Sequence, residues 1–129
     1  MKLFLVLHFF CILFFNYSAS QEISCQGAIL RILNKTTNEK VFFTVPVSQT
    51  IELENSNIIV HKCVKIENKS KNEEIALITH NYNELVGSEN NFFGWIFKSS
   101  QYLNSPKNPL YDIKLQECLE EDPIFLKNN

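Results

Sequence analysis

Apolar residues in this chain follow two different patterns. An apolar run, broken only by His8, extends from Leu3 to Phe15. From Gly27 onward the apolar stretches are short, are separated by clusters of Asn, Lys, Ser and Glu, and nowhere keep helical spacing for ten residues. The second pattern predicts β-structure. Gly27 to Leu33 is apolar apart from Arg31, and residues 34–39 (NKTTNE) form a polar turn, which together predict a hairpin. In the next strand Val41, Phe43, Val45 and Val47 alternate with Phe42, Thr44 and Pro46, so the first set is expected to face the core. Pro46 has no amide hydrogen for a ladder and belongs at an edge or a strand end.

The same pattern continues to the C-terminus. Thr50 to Leu53 is a short strand, and Ile58 to Glu67 is a long one whose apolar face is Ile58, Val60, Val64 and Ile66. Residues 67–74 (ENKSKNEE) are polar throughout and are expected to form an exposed loop, after which Ile75 to Thr79 is again a strand. Phe92 to Phe97 is strongly aromatic, and Leu110 to Cys118 is the last strand. Polar loops over 81–91 and 99–109 connect them. About seven strands in this length predict an all-β domain, a small antiparallel sandwich or barrel.

The first twenty residues carry one cation at Lys2, the apolar run, and then Ser18, Ala19 and Ser20. That layout predicts a secretory signal peptide, with Ser18 and Ser20 at the minus-three and minus-one positions of the cut and a mature start at Gln21. The run of 13 residues is shorter than the roughly 20 that a spanning helix needs. Cys25 lacks the leucine and small-residue box of a lipidated cysteine, so the product is expected without a membrane anchor. The chain divides into a signal peptide (1–20), a flexible start (21–26), one all-β domain (27–118) and a frayed tail (119–129). The mature part has length for one domain and a real core. Its charge, −2 for the whole chain and −3 without Lys2, is mixed in sign along the sequence and argues against nucleic-acid and anionic-membrane partners.

GAILRILNKTTNEK, the triplet Val45 to Val47, the strand IIVHKC, and above all GWIFKSS followed by PLYDIKLQEC resemble one bacterial family. It is the alphaproteobacterial family known as domain of unknown function 2155. The resemblance runs from Gly27 to Cys118 and is most specific where Gly94, Trp95, Phe97, Ser99 and Ser100 combine with Pro109, Tyr111, Asp112 and Cys118. It implies a periplasmic β domain and no known activity. Lys62, in place of a small apolar residue, and the extra Cys25 depart from the family pattern.

The expected mature chain keeps Cys25, Cys63 and Cys118, an odd number for an oxidising compartment. Cys63 and Cys118 each sit in a predicted strand, whereas Cys25 sits in the expected mobile start, so Cys63–Cys118 is the expected disulfide. Closing a loop of that length removes chain entropy worth roughly 4 kcal/mol. The CxxC spacing of a redox-active pair is absent. His61 and Cys63 are expected on one strand face with His80 as a third group, but two converging ligands do not make a metal site. No cofactor is implied.

Ser99 or Ser100 with His80 and Asp112 could be grouped as a hydrolase triad, as in any secreted domain, and no nucleophile elbow supports it. Glu73 with Glu74 and Glu120 with Glu121 are adjacent carboxylates in polar surroundings and suggest no glycosidase. The sequons at Asn34 and Asn68 carry no meaning in a bacterial chain. Phe92, Phe93 and Tyr102, with the loop around Pro106, are the candidate partner surface. The leading expectation is a non-catalytic binding or structural module of the cell envelope that contacts another protein or peptidoglycan. The alternatives are a hydrolase built from loops 81–91 and 99–109, or a thiol or metal protein centred on Cys25, Cys63 and His61.

Overall fold

The computed structural model describes residues 2–6, 21–82, 91–101, 108 and 110–123. Among these, eight strands form two antiparallel sheets: β1 Gln21–Ser24, β2 Gly27–Asn34, β3 Lys40–Pro46, β4 Thr50–Glu52, β5 Ser56–Glu67, β6 Asn72–Tyr82, β7 Phe92–Phe97 and β8 Tyr111–Leu119. The first sheet has the order β1-β5-β6-β7, with β4 also paired to β5, and the second has the order β3-β2-β8. Neither closes into a barrel, and the molecule is an all-β sandwich. Residues 2–6 are helical and exposed, and the rest of the expected signal segment lies outside the described residues. No described helix is long and apolar enough to cross a membrane.

Period-two alternation builds the core. Ala28, Leu30 and Ile32 of β2, Ile58 and Val60 of β5, Ala76 and Ile78 of β6, and Ile113 and Leu115 of β8 are buried between the sheets. In β3 the expected inner set divides along the strand. Val45 is buried and Phe43 packs against the core, but Val41 is exposed because it lies on an edge strand of a three-stranded sheet, next to the hairpin turn. That turn is shaped by Asn34, whose Oδ1 accepts hydrogen bonds from the amides of Thr36 and Thr37 at 2.9 and 3.3 Å. Asn38 takes a φ of 61° within it, a conformation that asparagine tolerates better than most residues.

The long strand β5 breaks the alternation. Val60 faces Ile78 of β6, but the next pair is Lys62 with Leu77, so His61 is an extra residue in a β-bulge. Without it Cys63 would point outward with Ile59. With it, Cys63 faces Ala76 on the inner side, and the structure joins it to Cys118 across the two sheets, with Cα atoms 5.6 Å apart. A carboxylate reinforces the same junction. Glu74 of β6 accepts a hydrogen bond from the Cys118 amide at 3.0 Å and one from the Lys98 ammonium at 2.6 Å.

The two ends of the domain are more ordered than the sequence suggests. Residues 21–24, expected to be flexible, pair with β5 from Gln21↔Glu67 to Ser24↔Val64. This strand raises the count from the expected seven to eight. Half of the polar stretch 67–74 is strand: Glu67 ends β5, Asn72 begins β6, and residues 68–71 turn between them. Nor does the chain fray immediately after Cys118. Leu119 completes β8, and Pro123 is buried against the backbone of β2. Residues 124–129 lie outside the described residues.

Pro123 packs where Gly27 has no side chain. A Cβ at Gly27 would lie 2.5 Å from Pro123 Cγ and 2.8 Å from its Cδ. Gly27→Ala is therefore expected to cost about 1–3 kcal/mol by overpacking, measured by urea denaturation. Adding Pro123→Ala, which removes both ring atoms, restores most of that loss. A double variant as unstable as Gly27→Ala alone would place the strain elsewhere.

Candidate binding face

Residues directly opposite each other in an antiparallel ladder share a face. In the first sheet the pairs Ile75↔Phe97, Leu77↔Trp95 and Thr79↔Phe93 therefore lie on the outer side, away from the core residues Ala76, Ile78 and Ile96. Ile59 of β5 faces Thr79 and Val64 faces Ile75, extending the same surface. Most of these side chains are half-buried, and Phe93 is 69% exposed. The outer face of the first sheet is thus apolar and rich in aromatics, where an antiparallel sheet facing water ordinarily carries polar residues.

The bulge completes this face. His61 projects to the outer side, where its Nε2 lies 2.6 Å from Thr79 Oγ1 and its ring meets Phe93 edge-on at 5.7 Å between centroids. The expectation that His61 and Cys63 share a face is overturned, because the extra residue puts them on opposite sides of the sheet. His80 lies on the inner side and does not approach His61. Among the described residues no group of three or more His, Cys, Asp or Glu side chains gathers as a metal site would require.

The candidate partner residues separate in the same way. Phe93 is exposed, whereas its neighbour Phe92 points inward and packs against the core. Tyr102 and the loop around Pro106 lie outside the described residues, as do residues 83–90.

At one end of this sheet lies an open polar cleft of about 530 Å³ lined by Lys65, Glu67, Glu73, Glu74, Lys98, Ser99 and Glu117, among others. Two of its carboxylates, Glu73 and Glu74, are committed to the fold. Burial pushes the Glu73 carboxyl up, but hydrogen bonds from the Ser99 hydroxyl and amide and the Glu74 amide, together with the charge of Lys71, outweigh it and hold the group below its ordinary value. The Lys98 ammonium is held above its ordinary value chiefly by its hydrogen bond to Glu74. These contacts tie the end of β7 to β6 and β8. Ser99 consequently serves Glu73 and has no part in a triad. His80 faces Phe92 at the far end of β6, seven residues from Glu73, which corresponds to roughly 23 Å along a strand.

His80 has a different partner, one that sequence reasoning missed. Its Nε2 lies 2.9 Å from the hydroxyl of Ser56, and both residues are fully buried. Ser56 reads as a turn residue in the sequence. Its identity as the first residue of β5 appears only when Ser56 is paired with Tyr82 across the ladder. The Nδ1 atom has no partner among the described residues. Burial lowers the His80 pKa from 6.5 to about 4, so the ring is neutral near neutral pH.

Cys25 is also inside the domain and not in a mobile start. It is 5% exposed, joins the same core cluster as Cys63 and Cys118, and its amide donates to the Cys63 carbonyl at 2.8 Å. Burial pushes its thiol pKa up, against the opposing charge of Lys65 and with Glu120 and Glu74 adding to the rise. The thiol is free.

The buried imidazole makes stability depend on pH. The unfolded chain binds a proton at His80 more readily than the folded one, so this stabilisation is complete above the unfolded pKa and is lost as pH falls toward 4. Between about pH 7 and about pH 5 the domain is expected to lose about 2 kcal/mol from this residue, read as a falling urea midpoint. His80→Asn should remove most of that slope. An unchanged slope in the variant would show that the acid sensitivity arises elsewhere.

Comparison with known proteins agrees with the resemblance noted in the sequence. No curated protein and no solved structure matches the chain. The model of the family described as an uncharacterized protein conserved in bacteria matches residues 28–118. That span contains β2 through Cys118 of β8, and so the disulfide and the aromatic strand β7. The chain belongs to the bacterial family known as domain of unknown function 2155.

Proposed function

We propose that this chain is an exported, non-catalytic binding module of the bacterial cell envelope, and that the outer face of its first sheet is the surface that binds. The carrying observation is Phe93, 69% exposed on the edge strand β7 of an aromatic and aliphatic sheet face. Contiguous exposed apolar surface of this kind marks interaction sites in soluble domains, and aromatic anchors commonly dominate their energetics. Placement outside the cytoplasm is supported by the signal-like N-terminus and by a disulfide that ties the two sheets. The partner class that fits is a protein with an apolar segment or the glycan strands of peptidoglycan, both of which stack on aromatic side chains.

Two substitutions separate surface from core. Phe93→Ala is expected to change stability by less than about 0.5 kcal/mol while abolishing partner capture, whereas Phe92→Ala costs about 1–3 kcal/mol. In living cells, a photo-reactive residue at position 93 should crosslink one recurrent envelope component, with the captured chain starting at Gln21. A control at the exposed Glu39, in the turn between β2 and β3 of the second sheet, should not. Equal crosslinking from both positions, or unfolding by Phe93→Ala, removes the binding assignment. A start at Met1 removes the export assignment separately. Trp95, the single tryptophan, lies on the same face and reports occupancy directly. Soluble peptidoglycan fragments that shift its emission identify the glycan as ligand, and fragments without effect point to a protein.

A further inference from the structure

The position of Cys25 relative to the disulfide has a chemical meaning independent of the binding face. β1 and β5 pair in the register Gln21↔Glu67, Glu22↔Ile66, Ile23↔Lys65 and Ser24↔Val64. One further step along that ladder sets Cys25 against Cys63, and the 2.8 Å hydrogen bond from the Cys25 amide to the Cys63 carbonyl shows that the chains are still adjacent there. Facing residues on neighbouring antiparallel strands hold their Cα atoms about 4.5–5.5 Å apart with both side chains on one face. That separation falls within the span of a disulfide. Cys118 is close as well. Its Sγ packs 3.8 Å from the carbonyl oxygen of Val64, the residue paired with Ser24. Cys25, Cys63 and Cys118 are all buried in the hydrophobic core between the sheets.

We infer that Cys25 is an internal exchange thiol that moves the disulfide from Cys63–Cys118 to Cys25–Cys63. The Cys25 thiol gives up its proton, and the thiolate attacks Cys63 Sγ in line with the existing bond. A Cys25–Cys63 bond forms, the Cys63–Cys118 bond breaks, and Cys118 leaves as a thiolate that takes up a proton. The number of disulfides is unchanged, so neither an oxidant nor a reductant is consumed. The exchange converts a cross-link between the sheets into one within the first sheet and frees β8 from covalent attachment. The two isomers thus differ in how firmly the second sheet is held. Burial of all three sulfurs confines the reaction to this set and shields the thiol from external disulfides.

The test uses the full chain with Cys11→Ser throughout, kept free of denaturant until the exchange is stopped. Incubation at about pH 8.5, where an ordinary thiol is half ionised, is followed by acid quench, N-ethylmaleimide in mildly acidic denaturant so that buried thiols are reached, and non-reducing peptide mapping. A Cys25–Cys63 linked peptide and alkylated Cys118 are expected in this chain, with both absent when Cys25→Ser is added. Finding solely Cys63–Cys118 with alkylated Cys25, at every incubation time, overturns the inference. A second variant guards against a reaction too slow to see. With Cys118→Ser, mild oxidation should take the thiol count from two to zero by forming Cys25–Cys63, with a chain that elutes as a monomer. Two persistent thiols in that folded variant show that the sulfurs cannot meet.

Discussion

His61 is inserted into β5 without a partner on β6, and much of the molecule takes its orientation from that insertion. Before the bulge, Ile58 and Val60 point inward. After it, the inner positions shift by one, so Cys63 reaches the second sheet while Lys62 stays in solvent beside the outward-facing Leu77. The covalent link between the sheets depends on this shift, because an unbulged strand would turn Cys63 to the outside. The same insertion delivers an imidazole to the outer face, where it holds Thr79 and braces Phe93. Bulges often re-aim side chains in this way, and here one bulge supplies both a core contact and a surface contact.

The inter-sheet junction is layered around that point. The disulfide is the covalent element, the Glu74 carboxylate bonded to the Cys118 amide is the polar element, and Lys98 neutralises the carboxylate from the solvent side. A carboxylate with low exposure is costly unless its oxygens are satisfied. Glu74 meets that requirement with one backbone and one ammonium donor. Glu73, its neighbour on the opposite side of the strand, does the equivalent for the chain leaving β7 through Ser99. The adjacent glutamates Glu73 and Glu74 are thus two separate fastenings.

Strand positions were largely legible in the sequence, because β2, β5, β7 and β8 carry apolar alternation or continuous apolar runs that only a sheet accommodates. Cys63 and Cys118 could be matched because each lies in such a strand. The bulge left a trace, two consecutive polar residues, His61 and Lys62, inside an apolar strand, but period-two reasoning reads through it. Strand β1 was not legible: QEIS has one apolar residue, and its order comes from the backbone of β5 rather than from its own side chains. The Ser56–His80 contact joins residues 24 apart and exists only once β5 and β6 are in register. The outer face was half legible, since the aromatic run of β7 is conspicuous while the side of each ring depends on the register of β6.

Strand order in the second sheet carries a kinetic consequence. Its central strand, β2, is among the first parts of the domain to be made, yet one of its two neighbours, β8, is the last. Until Tyr111–Leu119 has emerged, one edge of β2 has no ladder, Pro123 cannot settle over Gly27, and Cys63 lacks its partner. Closure over so large a sequence separation gives a high contact order, and such pairing is slow. The second sheet therefore stays incomplete until the last strand is made, and the closing of the sandwich falls to the end of the chain.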